Sequence, residues 1–556
     1  MAEVTAGEAP PAKASASTRT VVVASSAGTA FEWYDFFVFG TLAAVISKNF
    51  FSALDETAGL LAALALFGAG FFFRPLGALI FGRLGDMIGR KAAFLITVTL
   101  MGGATFAIGL LPTYEQAGII APILLILMRI IQGTALGGEY GGAAIYVAEH
   151  APPDKRGWLT GWIQTSAAFG LVGALLVIYV TRTAMGEAAF TAPTWTGGWR
   201  IPFLLSAGLL AISIFMRLKL SESPSFQKLK EAGEQSKAPF SEAFGQWKNL
   251  KIVLLALFAF MSAQGAVWYT AFFYTQVFME RFLKVEPSTT NLLIMAITIA
   301  SAPLYVFFAW LSDKVGRKWV MWGGMTLALL TFFPVFKAMT PTANPALAEA
   351  QARTPVAVVA DPATCSFQFD LIGKATFASS CDIAKSVLSN AGVSYHLEAG
   401  PAGAPAEVRV GQSAVQSIEG QGLSATDLKA ARAGVEARIK ATLAEAGYPA
   451  KADPERVNFW GLFGLLMVLV VGATALYGPM AASLVELFPT RVRYTALSLP
   501  YHIGTGWIGG FVPVTAFAIV TATGDIYSGL WYSVVFTAIS VVVCLWLPET
   551  KGKPLD

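Results

Sequence analysis

Two loops of this chain carry almost the same sequence, although they lie 227 residues apart. The loop at 82 to 91 is Gly-Arg-Leu-Gly-Asp-Met-Ile-Gly-Arg-Lys, and the loop at 309 to 318 is Ala-Trp-Leu-Ser-Asp-Lys-Val-Gly-Arg-Lys. Glu149 and Glu486 begin a second repeated pattern, with a proline three residues on and an arginine seven residues on, at a separation of 337. The chain therefore has two related halves, and about 110 extra residues are inserted between 318 and 486.

Long apolar stretches separate these loops. Hydrophobic residues make up 55% of the 556 and charged residues 13%, against roughly a quarter in soluble domains. A membrane-spanning helix needs ~20 apolar residues. Such stretches lie at 21–46, 58–81, 92–111, 119–147, 159–180, 201–216, 252–278, 292–310, 319–336, 459–485, 497–520 and 526–546. The sequence predicts an all-α membrane protein with twelve transmembrane helices in two six-helix bundles.

The distribution of Lys and Arg predicts the orientation. If both termini are cytoplasmic, the inner segments hold 21 of these residues, and the short outer loops hold only Lys48, Arg182, Arg200, Arg281 and Lys284. The positive-inside rule then places both termini in the cytoplasm of a bacterium, with the chain in the inner membrane. The predicted division is a disordered tail 1–20, a six-helix bundle 21–217, a linker 218–250, helices 7 to 9 at 251–337, an insertion 338–457, helices 10 to 12 at 458–547, and a tail 548–556.

The insertion falls on the outer, periplasmic side, and its patterns predict a small α/β unit. Ser424 opens an amphipathic helix that closes at Gly447, and short apolar runs at 356–359 and 408–410 indicate strands. Because the compartment is oxidising, Cys365 and Cys381 are predicted to form a disulfide. Metal binding is the weaker alternative, since no paired histidines or Cys-x-x-Cys motif accompany them.

Five charged residues fall inside the predicted spans, all in the first half: Glu32, Asp35, Arg74, Arg129 and Glu139. A charge at the bilayer centre costs about 2.5 to 3.5 kcal/mol even on lenient insertion scales, so each is a candidate functional residue, with a structural ion pair as the alternative. Glu32 and Asp35 lie on one helical face. Two carboxylates this close in a low dielectric disfavour simultaneous ionisation, so we predict that this pair carries a coupled proton.

Arg129, with Gln132 one turn further on, can bind a carboxylate through two parallel hydrogen bonds. It could neutralise the acids of the first helix or hold an anionic substrate. Arg74 could join the same site or extend its side chain toward the cytoplasm. Further predicted substrate contacts are Tyr34, Gln164, Gln264, Trp268, Tyr269 and His502. Interfacial anchoring of the aromatic residues, and a neutral buried role for the histidine, are the alternatives.

The sequence contains no nucleotide-binding loop, dinucleotide motif, zinc-protease motif or nucleophile elbow. We therefore predict that the protein is not an enzyme and binds no metal, cofactor or nucleic acid. Repeated halves with a few buried ionisable groups are typical of a secondary transporter that works by alternating access and is driven by a proton gradient.

The two repeated loops resemble the signature Gly-x-x-x-Asp-Arg-x-Gly-Arg-Lys of the major facilitator superfamily. Met87 replaces the usual arginine, and Ala309 replaces the first glycine. More specific motifs are Glu32-Trp33-Tyr34-Asp35-Phe36, Arg74-Pro75-Leu76-Gly77, Arg129 with Gln132-Gly133, Gly137-Gly138-Glu139-Tyr140, Gly198-Trp199-Arg200-Ile201-Pro202-Phe203 and Glu222-Ser223-Pro224. Together they resemble the metabolite:proton symporter group, whose members import carboxylates, shikimate-like acids or zwitterionic osmolytes.

This resemblance implies a monomeric importer that rocks two bundles around a midplane site. It also implies conformational gating by Gly82, Asp86, Gly89, Arg90, Asp313, Arg317, Glu149, Arg156, Glu486 and Arg493. Osmolyte carriers of the group end in a long coiled coil, whereas this chain stops at Asp556. We therefore expect a small organic acid, such as a di- or tricarboxylate or a shikimate-like acid. A proline or betaine symporter, or a transporter-like sensor that uses the outer insertion, is the alternative.

Overall fold

The computed structural model describes residues 18–52, 66, 68, 70–219, 221–368 and 377–555. In this part of the chain, nine helices are long and apolar enough to cross a membrane, or ten if Thr18–Thr41 and Ala43–Phe50, which meet at 60°, form one bent span. The predicted helical membrane architecture is confirmed, and the count of twelve spans stays a prediction. Most of the predicted tail at 1–20, and part of the predicted span at 58–81, lie outside the described residues.

We number the apolar helices in chain order. They are α1 (Thr18–Thr41), α2 (Arg74–Ile88), α3 (Arg90–Leu110), α4 (Ile120–His150), α5 (Arg156–Met185), α6 (Arg200–Leu218), α7 (Trp247–Phe282), α8 (Pro287–Val315), α9 (Arg317–Ala343), α10 (Phe459–Leu487), α11 (Arg493–Thr523) and α12 (Leu530–Cys544). Helix α7 contains three π-helical segments, Leu257–Met261, Thr270–Tyr274 and Phe278–Phe282, and α11 contains one, Ile503–Gly509. Short helices outside the spans are Tyr114–Ala117, Glu187–Thr191, Pro224–Glu231 and Pro239–Phe244.

Glycines bring the backbones of α2 and α4 into contact. A Cβ atom added at Gly137 would lie 2.1 Å from the carbonyl oxygen of Arg74, and one added at Gly77 would lie 1.8 Å from that of Thr134. Small residues permit this close approach between helices in a membrane. The contact fixes Arg74 beside the middle of α4.

The sequence duplication is visible at the end of the bundle that carries the loops 82–91 and 309–318, which we call the signature face. Glu222 accepts hydrogen bonds from the first two backbone N–H groups of α3, and Glu549 does the same for α9. Each carboxylate satisfies N–H groups that have no partner within their own helix. The opposite end, between α9 and α10, is the insertion face.

Residues 344–368 and 377–457, which we call the cap, form a small α/β unit on the insertion face. Its four strands are β1 (Val356–Ala360), β2 (Tyr395–Ala399), β3 (Glu407–Val410) and β4 (Ser413–Gln416), in the order β2-β1-β3-β4. Strand β1 is parallel to β2 and antiparallel to β3, which is antiparallel to β4. The cap helices are Pro345–Arg353, Ser380–Asn390 and Ala425–Glu445. The predicted strands and the helix after Ser424 are confirmed.

A disulfide joins Cys365 to Cys381, at the start of the second cap helix. The cap rests on the insertion-face ends of α7 and α11. Tyr395 donates from its backbone N–H to Gly524 O at 2.7 Å. Lys284, just after α7, donates from Nζ to Asn390 O at 2.6 Å. The cap therefore connects two helices of the second half to each other.

Lys284 lies outside the membrane spans and has a perturbed ionisation. Burial, together with the positive charges of Arg281 and Lys440, lowers the pKa of Lys284 to about 8. The folded cap thus disfavours the ammonium form of this side chain.

Candidate functional site

A small cavity of about 20 Å³ lies between the two halves near the middle of the bundle, which is room for roughly one water molecule. It is lined by Thr29, Glu32, Trp33, Arg74, Leu136, Glu139, Tyr140, Tyr501 and His502. These residues come from α1, α2 and α4 in the first half and from α11 in the second. The three charged residues in this lining, Glu32, Arg74 and Glu139, all belong to the five intramembrane charges found in the sequence, and the fold brings them together with His502.

The two acids of α1 have different partners. Glu32 is 3% exposed and pairs with Arg217 of α6, with 2.8 Å between Oε1 and Nη2. Asp35 is 4% exposed and accepts a hydrogen bond from the hydroxyl of Ser206, also on α6. The prediction that only five charged residues lie inside the spans is therefore wrong, because α6 extends to Leu218 and carries Arg217 into the interior.

Arg129 is fully buried and belongs to a polar chain in the first half. Its Nη1 donates to Gln132 Oε1 at 2.8 Å, and Gln132 Nε2 donates to Thr105 Oγ1 at 2.7 Å. The hydroxyl of Thr105 lies next to the carboxylate of Asp35. The guanidinium of Arg129 also stacks on Phe39, 4.1 Å from the ring centre. Arg129 thus reaches the acids of α1 through Gln132, and it is not among the residues that line the cavity.

Arg74 is the arginine that faces the cavity. It is 2% exposed, and its guanidinium lies 4.2 Å from the ring centre of Phe71 and 4.9 Å from that of Phe36. Its Nε and Nη2 atoms form no hydrogen bond with any residue in the described ranges. Tyr269 of α7 hydrogen bonds to the guanidinium. The Nε and Nη2 donors remain buried without a partner, which is costly, so these two atoms are available to a ligand. It does not extend toward the signature face, as one of the sequence alternatives proposed.

Aromatic side chains close the cavity from both halves. Tyr140 of α4 stacks on Tyr501 of α11, with ring centres 3.8 Å apart and planes 5° apart. The hydroxyl groups of Tyr501 and Tyr477 lie 3.0 Å apart. Gln164 donates to the hydroxyl of Tyr140 at 2.8 Å, so this predicted residue borders the cavity through the tyrosine. The stack is a direct contact between the two bundles.

The remaining predicted substrate residues are not among those that line the described cavity, although Tyr269 hydrogen bonds to Arg74, which does. Tyr34 donates to the backbone carbonyl of Pro202 at 2.8 Å and so binds α6. Trp268 donates to the hydroxyl of Tyr305 at 2.8 Å within the second half. Tyr269 packs on Phe71 across the two halves, with ring centres 5.8 Å apart. Gln264 is buried at 2% exposure.

On the signature face, carboxylates of each half bind the other half. Glu149 pairs with Arg493 at 2.6 Å, and Glu486 pairs with Arg156 at 2.9 Å. Glu486 also pairs with Arg317 at 3.2 Å. All of these side chains are at most 3% exposed. The repeated Glu and Arg positions therefore form reciprocal ion pairs between the bundles.

The aspartates of the two signature loops bind helix starts in the opposite half. Asp86 accepts from the backbone N–H of Thr495 at 2.8 Å, and Asp313 accepts from that of Gly157 at 2.9 Å. Each also pairs with the arginine four residues later, Asp86 with Arg90 at 2.6 Å and Asp313 with Arg317 at 2.5 Å. A carboxylate at a helix N-terminus is stabilised by the helix dipole. These contacts close the signature face.

Two of the predicted gating glycines have clear backbone reasons. Gly89 has φ of 117°, a conformation that side chains with a Cβ rarely adopt. A Cβ atom at Gly82 would lie 2.9 Å from the Cα of Thr495, so α2 approaches α11 closely there.

Sequence comparison matches a model of the family described as sugar (and other) transporters at residues 20–243 and 443–556. A second model, for MFS/sugar transport proteins, matches residues 143–378. A glycine betaine/proline/ectoine/pipecolic acid transporter of Dickeya dadantii (strain 3937) is 29% identical over 548 residues, 97% of this chain and 84% of the relative. A shikimate transporter of Escherichia coli (strain K12) is 36% identical over 329 residues, 58% of this chain and 72% of the relative.

A proline/betaine transporter of Escherichia coli (strain K12) is 36% identical over 329 residues, 57% of this chain and 64% of the relative. Among solved structures, a proton:xylose symporter bound to 6-bromo-6-deoxy-D-glucose superposes with a TM-score of 0.60 at 15% identity, covering 97% of both chains. A double-tryptophan variant of that symporter gives a TM-score of 0.61 at 15% identity, over 96% of this chain and 97% of the other. At this identity the likeness concerns the fold.

Proposed function

This chain belongs to the major facilitator superfamily, in its family of sugar (and other) transporters, and from this premise we propose that it imports a small carboxylate-bearing solute together with protons. It is a membrane transporter and not an enzyme. In the proposed orientation both termini and the signature face lie in the cytoplasm, the cap lies in the periplasm, and the membrane is the bacterial inner membrane. The lysine and arginine distribution of the sequence supports this orientation.

The observation that carries the proposal is that Nε and Nη2 of Arg74, in a cavity between the halves, have no hydrogen-bond partner among the described residues. A carboxylate could bind its Nε and Nη2 atoms side by side, which is the geometry that arginine favours. Arg129, the anchor expected from the sequence, already donates to Gln132. We therefore assign the substrate carboxylate to Arg74 and leave Arg129 the role of orienting the polar chain that leads to Asp35.

A zwitterionic substrate is the second candidate, and a specific feature favours it. Glu139 lines the same cavity, and neither of its oxygens hydrogen bonds to a residue in the described ranges. Trp33 and Tyr140 add aromatic faces that attract a substituted ammonium group. The relatives include carriers named for proline and betaine and one named for shikimate, so both classes are tested together.

The test is uptake by proteoliposomes with an imposed inward proton gradient. Labelled shikimate, a dicarboxylate, proline and glycine betaine are the probes, each measured with and without an uncoupler. We expect one class to accumulate and the uncoupler to abolish its accumulation. If no probe accumulates under the gradient, or accumulation survives the uncoupler, proton symport is refuted for these classes.

Two arginine substitutions separate the roles. Arg74→Lys keeps the charge but loses the planar fork, so it should raise the apparent substrate constant strongly. Arg129→Lys should do so less. Arg182→Lys is the matched control, because Arg182 is 44% exposed and pairs only with Glu187 on the surface of the described structure. A larger effect at Arg129 than at Arg74 would return the anchor role to Arg129.

The sensor alternative for the cap can be tested by removing it. The backbone N–H of Asn458 donates to Thr342 O at 3.0 Å, so the two ends of the cap are adjacent and a short linker can join them. Excision of residues 344 to 456 should leave proton-coupled uptake in place if the cap is accessory. Absence of uptake in both the full chain and the excised chain would favour the sensor.

A further inference from the structure

Three buried charges on α1, α4 and α6 form a cluster that the sequence did not reveal. Arg217 lies between Glu32, whose Oε1 is 2.8 Å from its Nη2, and Glu139, whose Oε1 is 3.6 Å from the same atom. The three side chains are 1 to 4% exposed. One positive charge is therefore shared by two carboxylates inside the bundle.

We propose that Glu139 is the carboxyl group that binds the transported proton, and that Arg217 is a positioning residue that moves between Glu32 and Glu139. This inference rests on the proposed proton symport. It assigns the proton to a residue of α4, whereas the sequence alone favoured the Glu32 and Asp35 pair of α1.

The hydrogen bonds distinguish the carboxylates. Glu32 holds a direct hydrogen bond from Arg217, and Asp35 accepts from the hydroxyl of Ser206. Both oxygens of Glu139 are buried and form no hydrogen bond with a residue in the described ranges. A buried carboxylate with no donor is costly, and a proton removes that cost. Of these three acids, Glu139 is the one that accepts no hydrogen bond at either oxygen in the described ranges, whereas Glu32 lacks a partner at one oxygen only.

The position of Glu139 also suits a transported proton. Its side chain lines the cavity with Arg74, where the substrate carboxylate is proposed to bind. Tyr494 of α11 donates from its hydroxyl to the carbonyl of Gly138, the residue before Glu139, and its ring lies beside Gly141 and Gly142, toward the signature face. A proton taken from water in the cavity by a Glu139 oxygen could thus leave toward the signature face when the halves separate there.

Arg217 supplies the control of this step. Its Nη1 donates to Ser213 at 2.7 Å, and its guanidinium lies 3.9 Å from the ring centre of Phe94, so the group is held beside both acids. When Glu139 is protonated, Arg217 and Glu32 form an ion pair whose net charge is zero. When the proton leaves, the nearby guanidinium can shift to share its charge with Glu139. The cluster thus alternates between a net charge of zero and of minus one.

The first experiment compares accumulation with exchange in proteoliposomes, using whichever probe the wild type transports. Glu139→Gln should abolish accumulation driven by a proton gradient and should retain exchange of labelled for unlabelled substrate without a gradient. Glu32→Gln, the matched control in the same cluster, should not give this combination. Accumulation by Glu139→Gln, or exchange without accumulation in Glu32→Gln alone, would overturn the assignment. Failure of the wild type to accumulate any probe would instead refute the proposed function.

A second measurement covers the case in which Glu139→Gln neither accumulates nor exchanges substrate. Infrared difference spectra of the purified protein between acid and alkaline pH should contain a protonated-carboxyl band that Glu139→Gln lacks and Glu32→Gln retains. A band unchanged in Glu139→Gln would overturn the assignment without any transport assay.

The positioning role of Arg217 is tested through the pH dependence of exchange. Arg217→Lys keeps the charge but loses the fork, so the midpoint of the pH profile should shift relative to the wild type. Arg200→Lys is the control, because Arg200 is equally buried but donates to the backbone carbonyls of Gly109 and Leu111. Equal pH midpoints in all three proteins would assign Arg217 a purely structural role.

Discussion

Replacing Glu149 with glutamine should open the signature face. The carboxylate of Glu149 pairs with Arg493 of the other half at 2.6 Å, and the two side chains are at most 2% exposed. The remaining contact of the guanidinium is the carbonyl of Phe488, which accepts from Nε at 2.9 Å. The substitution keeps the shape and an acceptor oxygen but leaves the arginine without a directly paired carboxylate in the closed state.

The size of the effect follows from this geometry. Removing one partner of a buried ion pair costs about 3 to 5 kcal/mol, because the other charge stays buried and uncompensated. The glutamine amide can still accept a hydrogen bond, so we take about 3 kcal/mol. Both side chains regain water when the face opens, and the cost therefore falls on the closed state. At 1.4 kcal/mol per factor of ten, the closed-to-open ratio should fall on the order of 100-fold.

Amide hydrogen exchange measures this ratio directly. The backbone N–H groups of Tyr494 and Thr495 donate to Asp86 across the two halves, so they are protected only while the face is closed. Peptides covering the start of α11 should exchange on the order of 100-fold faster in Glu149→Gln. The control is Glu187→Gln, in an exposed pair with Arg182 worth about 0 to 1 kcal/mol. Equal exchange in Glu149→Gln and the wild type would refute the argument that this pair holds the face closed.

Three further predictions concern packing, the cap and pH. Gly77→Ala places a Cβ 1.8 Å from the carbonyl oxygen of Thr134 and should lower the free energy of unfolding by about 1 to 3 kcal/mol or more through overpacking. The control is Gly103→Ala, where an added Cβ has nothing within 4 Å. Thermal unfolding measured by tryptophan fluorescence should be nearly unchanged in the control. Cys365→Ser opens a loop of 16 residues and should destabilise the cap by about 3 kcal/mol, seen as faster amide exchange in the cap alone; unchanged exchange there would contradict it. The pKa of Lys284 is lowered to about 8, below its unfolded value of about 10.4. The free energy of unfolding should therefore rise as pH rises from 8 toward 10.4. Unfolding measurements across that pH window should show no such rise in Lys284→Met.

The sequence predicted the helical architecture and the positions of the charged residues on the signature face, but it could not predict which of these residues pair. The repeat marked Glu149, Arg156, Glu486 and Arg493 as equivalent positions. Nothing in the spacing distinguishes pairing within one half from pairing between halves. The reciprocal pairs form because the two helices that carry each glutamate and arginine face each other across the boundary between the bundles.

Side-chain direction and the positions of helix ends account for the differences between the predicted site and the site in the structure. The predicted sixth span stopped at residue 216, one residue before Arg217, and helix ends carry an uncertainty of one or two residues in any assignment. Arg74 and Arg129 were both recognisable as buried charges. Their order of importance depends on helix rotation, which turns the first toward the cavity and the second toward Gln132.

The two halves differ in structure, and the cap is attached to the second half. The charged residues that line the described cavity all belong to the first half. In the second half, α7 and α11 contain π-helical segments. Such segments often occur at functional sites and lack the regular hydrogen-bond pattern of an α-helix. The cap joins the insertion-face ends of these two helices through Lys284 and Tyr395. A rocking motion between the halves would therefore carry the cap with the second half. The first half would keep the proposed proton-binding cluster intact, because the contacts of Arg217 with Glu32 and Glu139 all lie within it.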